Sequence, residues 1–421
     1  MEMGLSSTII NFRLTTERKQ MVATTENQLT KQAVAKATPK VATRLFFVDH
    51  LRAALIILVV LHHVALVYGG ISPFYYLEPP IGNLAAFVVP MIFVLLNQAW
   101  FMGALFLLAG YFTPASYDRK GPGSFIKGRL IRLGIPLLVW YFVLNPISQI
   151  GFFLMPASLT GNTTELSWQV FWQAYPKLVG LGPMWFVALL LIFCFGYVAW
   201  RQITRNRAAA HESSTPRYWQ IGVFILALAL ASYLVRMVIP LGRSVLGFPT
   251  LAYLPQYLGF FILGTVAFRR DWLRRLPGSM GAVGFIAALV ATAALFSVAF
   301  LSFLKALESG AAQFPPFGFG TWQSAVYALW DSIFAVGMVL AAITFFRRFL
   351  GGQSSFGGFL SDQSYAVYII HIPIIVFLAY ALRGVAQPPL FKFSVASLIV
   401  LTICFVAAWV IRKIPGVSKV I

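Results

Sequence analysis

A succession of long apolar runs, separated by short basic stretches, constrains this chain more than any other feature. The runs span 51–70, 83–113, 130–154, 178–200, 218–240, 251–268, 279–304, 322–346, 364–382 and 391–411. About 20 consecutive apolar residues, coiled as a helix, cross the ~30 Å hydrocarbon core of a bilayer. With 59% hydrophobic and only 10% charged residues, and a mean hydropathy of +0.80, a soluble globular domain is excluded. The predicted fold is therefore all-α, a polytopic membrane protein of about ten transmembrane helices. The second run is over-long. Pro90 and the polar pair Asn97 and Gln98 predict a kink or break there, tolerable only where the broken backbone is packed inside the bundle.

The loops set the orientation. Arg119, Lys120, Lys127, Arg129 and Arg132 follow the second run, Arg201, Arg205, Arg207 and Arg217 the fourth, and Arg269, Arg270, Arg274 and Arg275 the sixth. Arg347 and Arg348 follow the eighth, and Arg412, Lys413 and Lys419 the last, all on the side of the basic N-terminal region. Only Lys177, Arg236, Arg243, Lys305, Arg383 and Lys392 fall on the other side. Positive charge concentrates in cytoplasmic loops, so both termini are expected in the cytoplasm. The +20 formal charge then reads as positive-inside bias rather than as a nucleic-acid surface.

Residues 1–43 are rich in Thr, Gln, Lys and Ala and lack an apolar core for a cleavable signal, which predicts a disordered cytoplasmic tail and an uncleaved first helix acting as signal anchor. Residues 44–412 would form the membrane domain and 413–421 a second short cytoplasmic tail. Cys194 and Cys404 both lie in apolar runs, so no disulfide framework or metal spacing is present. No internal repeat with matching broken helices points to a secondary transporter, and no Walker or dinucleotide motif occurs. Most of the aromatic residues near predicted outer ends, such as Tyr75, Tyr76, Trp168 and Trp172, suit interfacial anchoring.

The first run is the chemically informative one. Arg52 sits in its first turn and His63 eleven residues on. At about 100° and 1.5 Å per residue, the two lie within ~20° of one face and ~16 Å apart along the axis. Asp49, three residues before Arg52, is placed to pair with it, while His62 points about 100° away from His63 and is expected to pack. A histidine on an apolar helix can simply bond a neighbouring helix, and an arginine can snorkel to headgroups. Ionisable groups inside a membrane are costly, however, and a function for this pair stands at even weight with that reading.

Asp49-His50-Leu51-Arg52 followed by His63 resembles the first helix of the acyltransferase-3 family of integral-membrane acyltransferases, whose signature is an Arg and a His separated by ten residues. Within it the chain looks most like the branch that includes the succinyltransferase of periplasmic glucans. Further motifs follow in family order. Phe101–Phe112 matches a Gly-aromatic segment, with Ala109 where the family commonly has Ser; Arg129 and Arg132 match an Arg-rich patch; Gly182-Pro183-Met184-Trp185-Phe186 matches a Trp-Phe motif. Ser364 to Pro373 matches a late helix in which Tyr368 and His371 share a face.

The resemblance implies a membrane acyltransferase that moves an acyl group from acyl-CoA, a co-substrate rather than a bound cofactor, to a hydroxyl of a carbohydrate or glycolipid. It implies His63 as general base or acyl carrier with Arg52 on its helix, Arg129 and Arg132 at the donor, and Trp185, Tyr368 and His371 lining the cavity; the residues themselves add Asp49 beside Arg52 and the intramembrane Asp331 as a further cavity-lining candidate, with no metal. Either Asp49 or Asp331 can orient a histidine. His63 is expected in an enclosed cavity open on the Arg52 side, with an acid or hydroxyl at its second ring nitrogen. Such an enzyme would sit in the cell membrane, the cytoplasmic membrane in a bacterium. The rival reading is a transporter or flippase of a glycan or lipid.

Overall fold

The computed structural model describes residues 44–71, 74–78, 84–161, 164–204 and 215–421. The expected tail over 1–43 and the Arg205–Arg207 loop lie outside these. The described residues form helices and no strand, apart from one isolated bridge between Val245 and Phe248. In chain order the main helices are α1 (Phe46–Tyr68), α2 (Leu84–Gln98), α3 (Phe101–Arg129), α4 (Asn145–Leu154), α5 (Trp168–Leu178), α6 (Trp185–Ile203) and α7 (Tyr218–Val238). They continue as α8 (Leu254–Arg269), α9 (Gly278–Ala291), α10 (Ser297–Glu308), α11 (Trp322–Phe349), α12 (Ser355–Ala381) and α13 (Pro389–Arg412). π turns at Leu130–Gly134 and Trp140–Leu144 lead into α4, and another at Thr292–Phe296 joins α9 to α10.

Nine helical stretches among the described residues are long and apolar enough to cross a membrane. One of them, Leu84–Leu154, has 71 residues, about 107 Å of helix and far beyond one crossing. It is interrupted at Gly121, whose φ of 72° and ψ of 169° no helix contains. A residue without Cβ turns the chain back there. The stretch thus holds two passes, and the ten expected apolar runs each have a helical counterpart.

The over-long second run breaks at Ala99 and Trp100, just past the polar pair, while Pro90 stays within α2. The polar side chains serve the break. Gln256 of α8 donates to the buried carbonyl of Ala99 at 2.6 Å, Asn97 donates to the Leu58 carbonyl at 3.2 Å, and Gln98 donates to the Tyr257 hydroxyl at 3.1 Å. Irregular backbone at membrane depth is stable only when satisfied in this way.

α1 lies in the middle of the bundle, packed by α12, α13 and α2. α3 runs along α8 with backbones in close approach, since a Cβ at Gly110 or Gly264 would meet the Phe261 or Leu107 carbonyl. Small residues of this kind let helices associate where lipid removes the hydrophobic drive. α7 and α9 stand at the periphery, with Leu226, Leu230 and Leu234 and with Val283, Ile286 and Val290 turned outward as lipid-facing stripes. The basic loop zones cluster at one end of the bundle. Asp118 bridges Arg201 and Arg269 at 3.4 and 2.6 Å, and Arg347 donates to the Leu273 carbonyl at 3.0 Å.

Candidate functional site

Two cavities occupy the bundle around α1, and the sequence-derived residues divide between them. The first, of about 620 Å³, is lined by His62, His63, Gln98, Phe101 and Trp185 at depth. Its rim is made by Leu77, Met155, Thr160, Pro249 and Thr250, in connectors at the end of the bundle where α1 finishes. The second, of about 460 Å³, lies at the opposite, basic end and brings Arg52, Arg129 and Arg132 onto one wall system. The expectation that His63 and Arg52 share a cavity is therefore corrected. They lie on one stripe of α1, but His63 faces a chamber rimmed by the connectors away from Arg52.

One side chain, Tyr368 of α12, lines both chambers, and its hydroxyl donates to the Pro183 carbonyl. The neighbouring Trp185 and Phe186 divide in the same manner, Trp185 toward the first chamber and Phe186 toward the second. Successive helical residues point about 100° apart, so a Trp-Phe pair at the head of α6 can furnish a wall to each. Gly182 just before them is tightly enclosed, with the Tyr75 hydroxyl, Asn145 and the Trp140 indole filling the space a Cβ would need, and its φ of 45° adds to the demand for glycine.

His63 is held from behind. Its Nδ1 lies 2.8 Å from the Val59 carbonyl one turn back and 3.3 Å from His371 Nε2, and the two imidazole centroids are 4.9 Å apart. His371 is fully buried, and its own Nδ1 lies 2.7 Å from the Tyr368 carbonyl. A carbonyl only accepts, so each Nδ1 carries the hydrogen. The single His63 Nδ1–H is then shared between the Val59 carbonyl and, as the longer branch, His371 Nε2, and His63 Nε2 keeps its lone pair on a ring that lines the cavity. A bonded second nitrogen fixes the tautomer and aim of an imidazole.

Here a histidine and a backbone carbonyl take the place expected for an acid or hydroxyl. Each candidate carboxylate pairs with an arginine. Asp49 pairs with Arg52 at 3.4 Å, and Arg52 also donates to the Ser361 hydroxyl at 2.7 Å. Asp331 is an ion-pair partner of Arg236, both fully buried between α11 and α7, with the guanidinium 4.8 Å from the Tyr253 ring. Asp331 as a cavity-lining residue is thus corrected, because an intramembrane carboxylate is satisfied first by the nearest cation. His371 likewise stands behind His63 rather than on the cavity surface, whereas Trp185 and Tyr368 do line it. His62, expected to pack away, stacks on Phe101 with ring centroids 5.2 Å apart and lines the His63 chamber as well.

Several lining residues were not among the site candidates, and one of them, Tyr75, was expected as an interfacial anchor. Phe74 and Tyr75 come from the connector after α1, which Lys392 of α13 holds by pairing with Glu78. The Tyr75 hydroxyl donates to Asn145 at 2.6 Å, whose amide in turn donates to the Leu178 carbonyl at 2.6 Å. Burial pushes the Tyr75 phenol well above its ordinary pKa, so it stays a donor. Gln149, a polar residue inside an apolar run, was the one readable hint. At the basic chamber, Arg129 lies 5.1 Å from the Phe125 ring and the Tyr365 hydroxyl donates to the Arg132 carbonyl at 2.9 Å. Among the described residues no cluster of His, Cys, Asp and Glu is arranged to hold a metal.

Residues 45–409 match the acyltransferase-3 family model, described as an acyltransferase domain. The chain is 23% identical over 355 residues to the glucans biosynthesis protein C of Shigella dysenteriae serotype 1 (strain Sd197), covering 80% of this chain and 84% of that one. It is similar to the proteins of the same name from Escherichia coli (strain K12), at 23% over 352 residues, and Escherichia coli O1:K1 / APEC, at 24% over 357, with the same shares covered. The match takes in α1, the whole lining of the His63 chamber and that of the basic chamber apart from Arg412 and Ser418 to Ile421, and the chain therefore belongs to the acyltransferase-3 family and is an acyl-transferring membrane enzyme.

Proposed function

We propose that the protein transfers an acyl group from acyl-CoA, taken up at the basic chamber, to a hydroxyl of a carbohydrate held in the His63 chamber. The observation that carries this reading is the back-to-back arrangement of the two chambers across Tyr368. The basic chamber has Arg52, Arg129 and Arg132 at its rim and Ile56, Leu105, Leu108 and Phe186 deeper in. That gradient suits a donor whose phosphates pair with guanidinium groups while a long unbranched arm carries the thioester inward. The His63 chamber combines aromatic walls, Phe74, Tyr75, Phe101 and Trp185, with the amides of Gln98 and Gln149. Flat rings pack on sugar faces, and an amide both donates to and accepts from hydroxyls. The relatives named for glucan biosynthesis agree with a glucan-like acceptor.

In this mechanism His63 Nε2 takes the proton of the acceptor hydroxyl as its oxygen bonds to the thioester carbonyl carbon. The carbon–sulfur bond breaks, CoA leaves as thiolate, and the proton passes from His63 to the sulfur. His371 holds the His63 ring through its Nδ1–H. By the positive-inside rule the basic end faces the cytoplasm, so the donor enters from there and the acceptor from the other face of the cell membrane. The decisive experiment reconstitutes the purified protein in liposomes with radiolabelled acyl-CoA and a linear glucan. Label appearing on the glucan is expected. Label that stays on CoA, with glucan crossing the bilayer instead, would replace this reading by that of a transporter.

A further inference from the structure

The basic chamber has a wall that the donor reading above did not require. Beyond α13 the chain folds into a short 3₁₀ turn at Val417–Lys419, closed by the Lys419 amide on the Gly416 carbonyl at 3.2 Å and the Val420 and Ile421 amides on the Val417 carbonyl at 2.9 Å each. This segment does not hang from the bundle as a tail. Ser418, Lys419, Val420 and Ile421 line the same chamber as Arg52, Arg129 and Arg132. Arg412 at the end of α13 secures the approach by donating to the Gln363 side-chain oxygen of α12 at 3.1 Å. Arg412 itself lines the chamber, so cations from four separate parts of the chain surround one space, and among the described lining residues Asp362 is the one with an acidic side chain.

Like charges gathered in a partly apolar chamber repel one another and are stabilised by a bound anion. Of the four guanidinium groups, that of Arg412 is engaged by Gln363, and the three on α1, α3 and the π turn after it are enough for one phosphate cluster. A further cation on a separate wall answers a second, spatially distinct phosphate. A donor with that property is a nucleotide thioester whose pyrophosphate and ribose phosphate are separated by a sugar. We propose that the segment Gly416–Ile421 forms part of the donor site and that Lys419 binds the outlying ribose phosphate of CoA, making the enzyme selective for nucleotide-bearing thioesters. The proposal rests on the acyl-CoA reading of the chamber and adds the residue that discriminates among donors.

The test is equilibrium binding to the full chain in zwitterionic nanodiscs, with three probes: CoA, CoA lacking its ribose 3′-phosphate, and pantetheine. Lys419→Ala should weaken CoA about tenfold, the scale of one charge-assisted hydrogen bond. It should leave pantetheine and the 3′-dephosphorylated probe unchanged, and the difference should shrink at high salt. Arg348→Ala, an exposed cation at the same end that does not line the chamber, should leave all three unchanged. An unaltered CoA affinity in Lys419→Ala would overturn this inference alone. An equal loss for all three probes would also overturn it, by showing a structural role for the segment. Failure of the unsubstituted protein to bind CoA would overturn the donor reading and this inference with it.

Discussion

His62 and His63 are adjacent in sequence and line one chamber, yet only His63 has a second imidazole behind it. That contact, not exposure, is the basis for expecting different roles. His63→Ala is expected to lower turnover at least ~10²-fold in folded protein, the usual contribution of a positioned general base. His371→Phe should lower turnover less, because it removes one of the two acceptors that steady the His63 ring and leaves the Val59 carbonyl and Nε2 in place. In the double variant the two losses should not add, since both act through one base. His62→Ala should instead raise the acceptor KM and lower stability through loss of its stacking on Phe101. Steady-state kinetics on the four purified proteins makes the comparison. Additive losses would mean that His371 acts independently, and a defect confined to His62→Ala would transfer the base to that residue.

Between elements, the Arg236–Asp331 pair is costly to bury, because two charges are withdrawn from water where α7 meets α11. Tyr253 and Tyr327 surround the guanidinium, which lies 5.5 Å from the Tyr327 ring. Removing one partner leaves the other charged and buried, so Asp331→Ala should destabilise the protein by about 3–5 kcal/mol. The double replacement Arg236→Met with Asp331→Leu should recover most of that loss, since an apolar pair of similar volume carries no desolvation cost. Thermal unfolding in detergent would distinguish these outcomes. A double variant as unstable as the single one would show that the charges themselves orient the helices.

At the scale of the whole molecule, the two chambers imply two faces. Single cysteines placed beside Arg119 and Arg347 should resist an impermeant reagent applied outside cells, while one beside Arg383 should react, if the basic end is cytoplasmic. Labelling of the Arg347 position from outside would reverse the sides assigned to donor and acceptor. On the donor side, Arg129→Ala with Arg132→Ala should raise the acyl-CoA KM at least ~10-fold, and lysine at both positions should restore it only partly. An ammonium is a point charge and does not reproduce the planar fork of a guanidinium. Donor KM and acceptor KM measured side by side test the division, and a rise in the acceptor KM alone would place those arginines outside the donor site.

The sequence by itself determined the fold class and the approximate places of the spans. The bilayer imposes a length on every crossing and requires its backbone bonds to close locally, so each span is written in a contiguous run of residues. The same locality made the stripe holding Arg52 and His63 legible, along with the break near Asn97 and Gln98. Tertiary structure decided what stands in front of that stripe. Helix phase gives a direction around the axis, and over the ~16 Å between the two residues the neighbours change. Tyr368, Trp185 and Phe186 divide the space, so the arginine and the histidine face different chambers. Asp331 was visible as a costly buried acid, but its partner Arg236 lies on another helix, and only packing could choose Arg236 over a histidine. The connector with Phe74 and Tyr75 and the turn with Lys419 had no periodicity to read, because their places depend on contacts with distant helices.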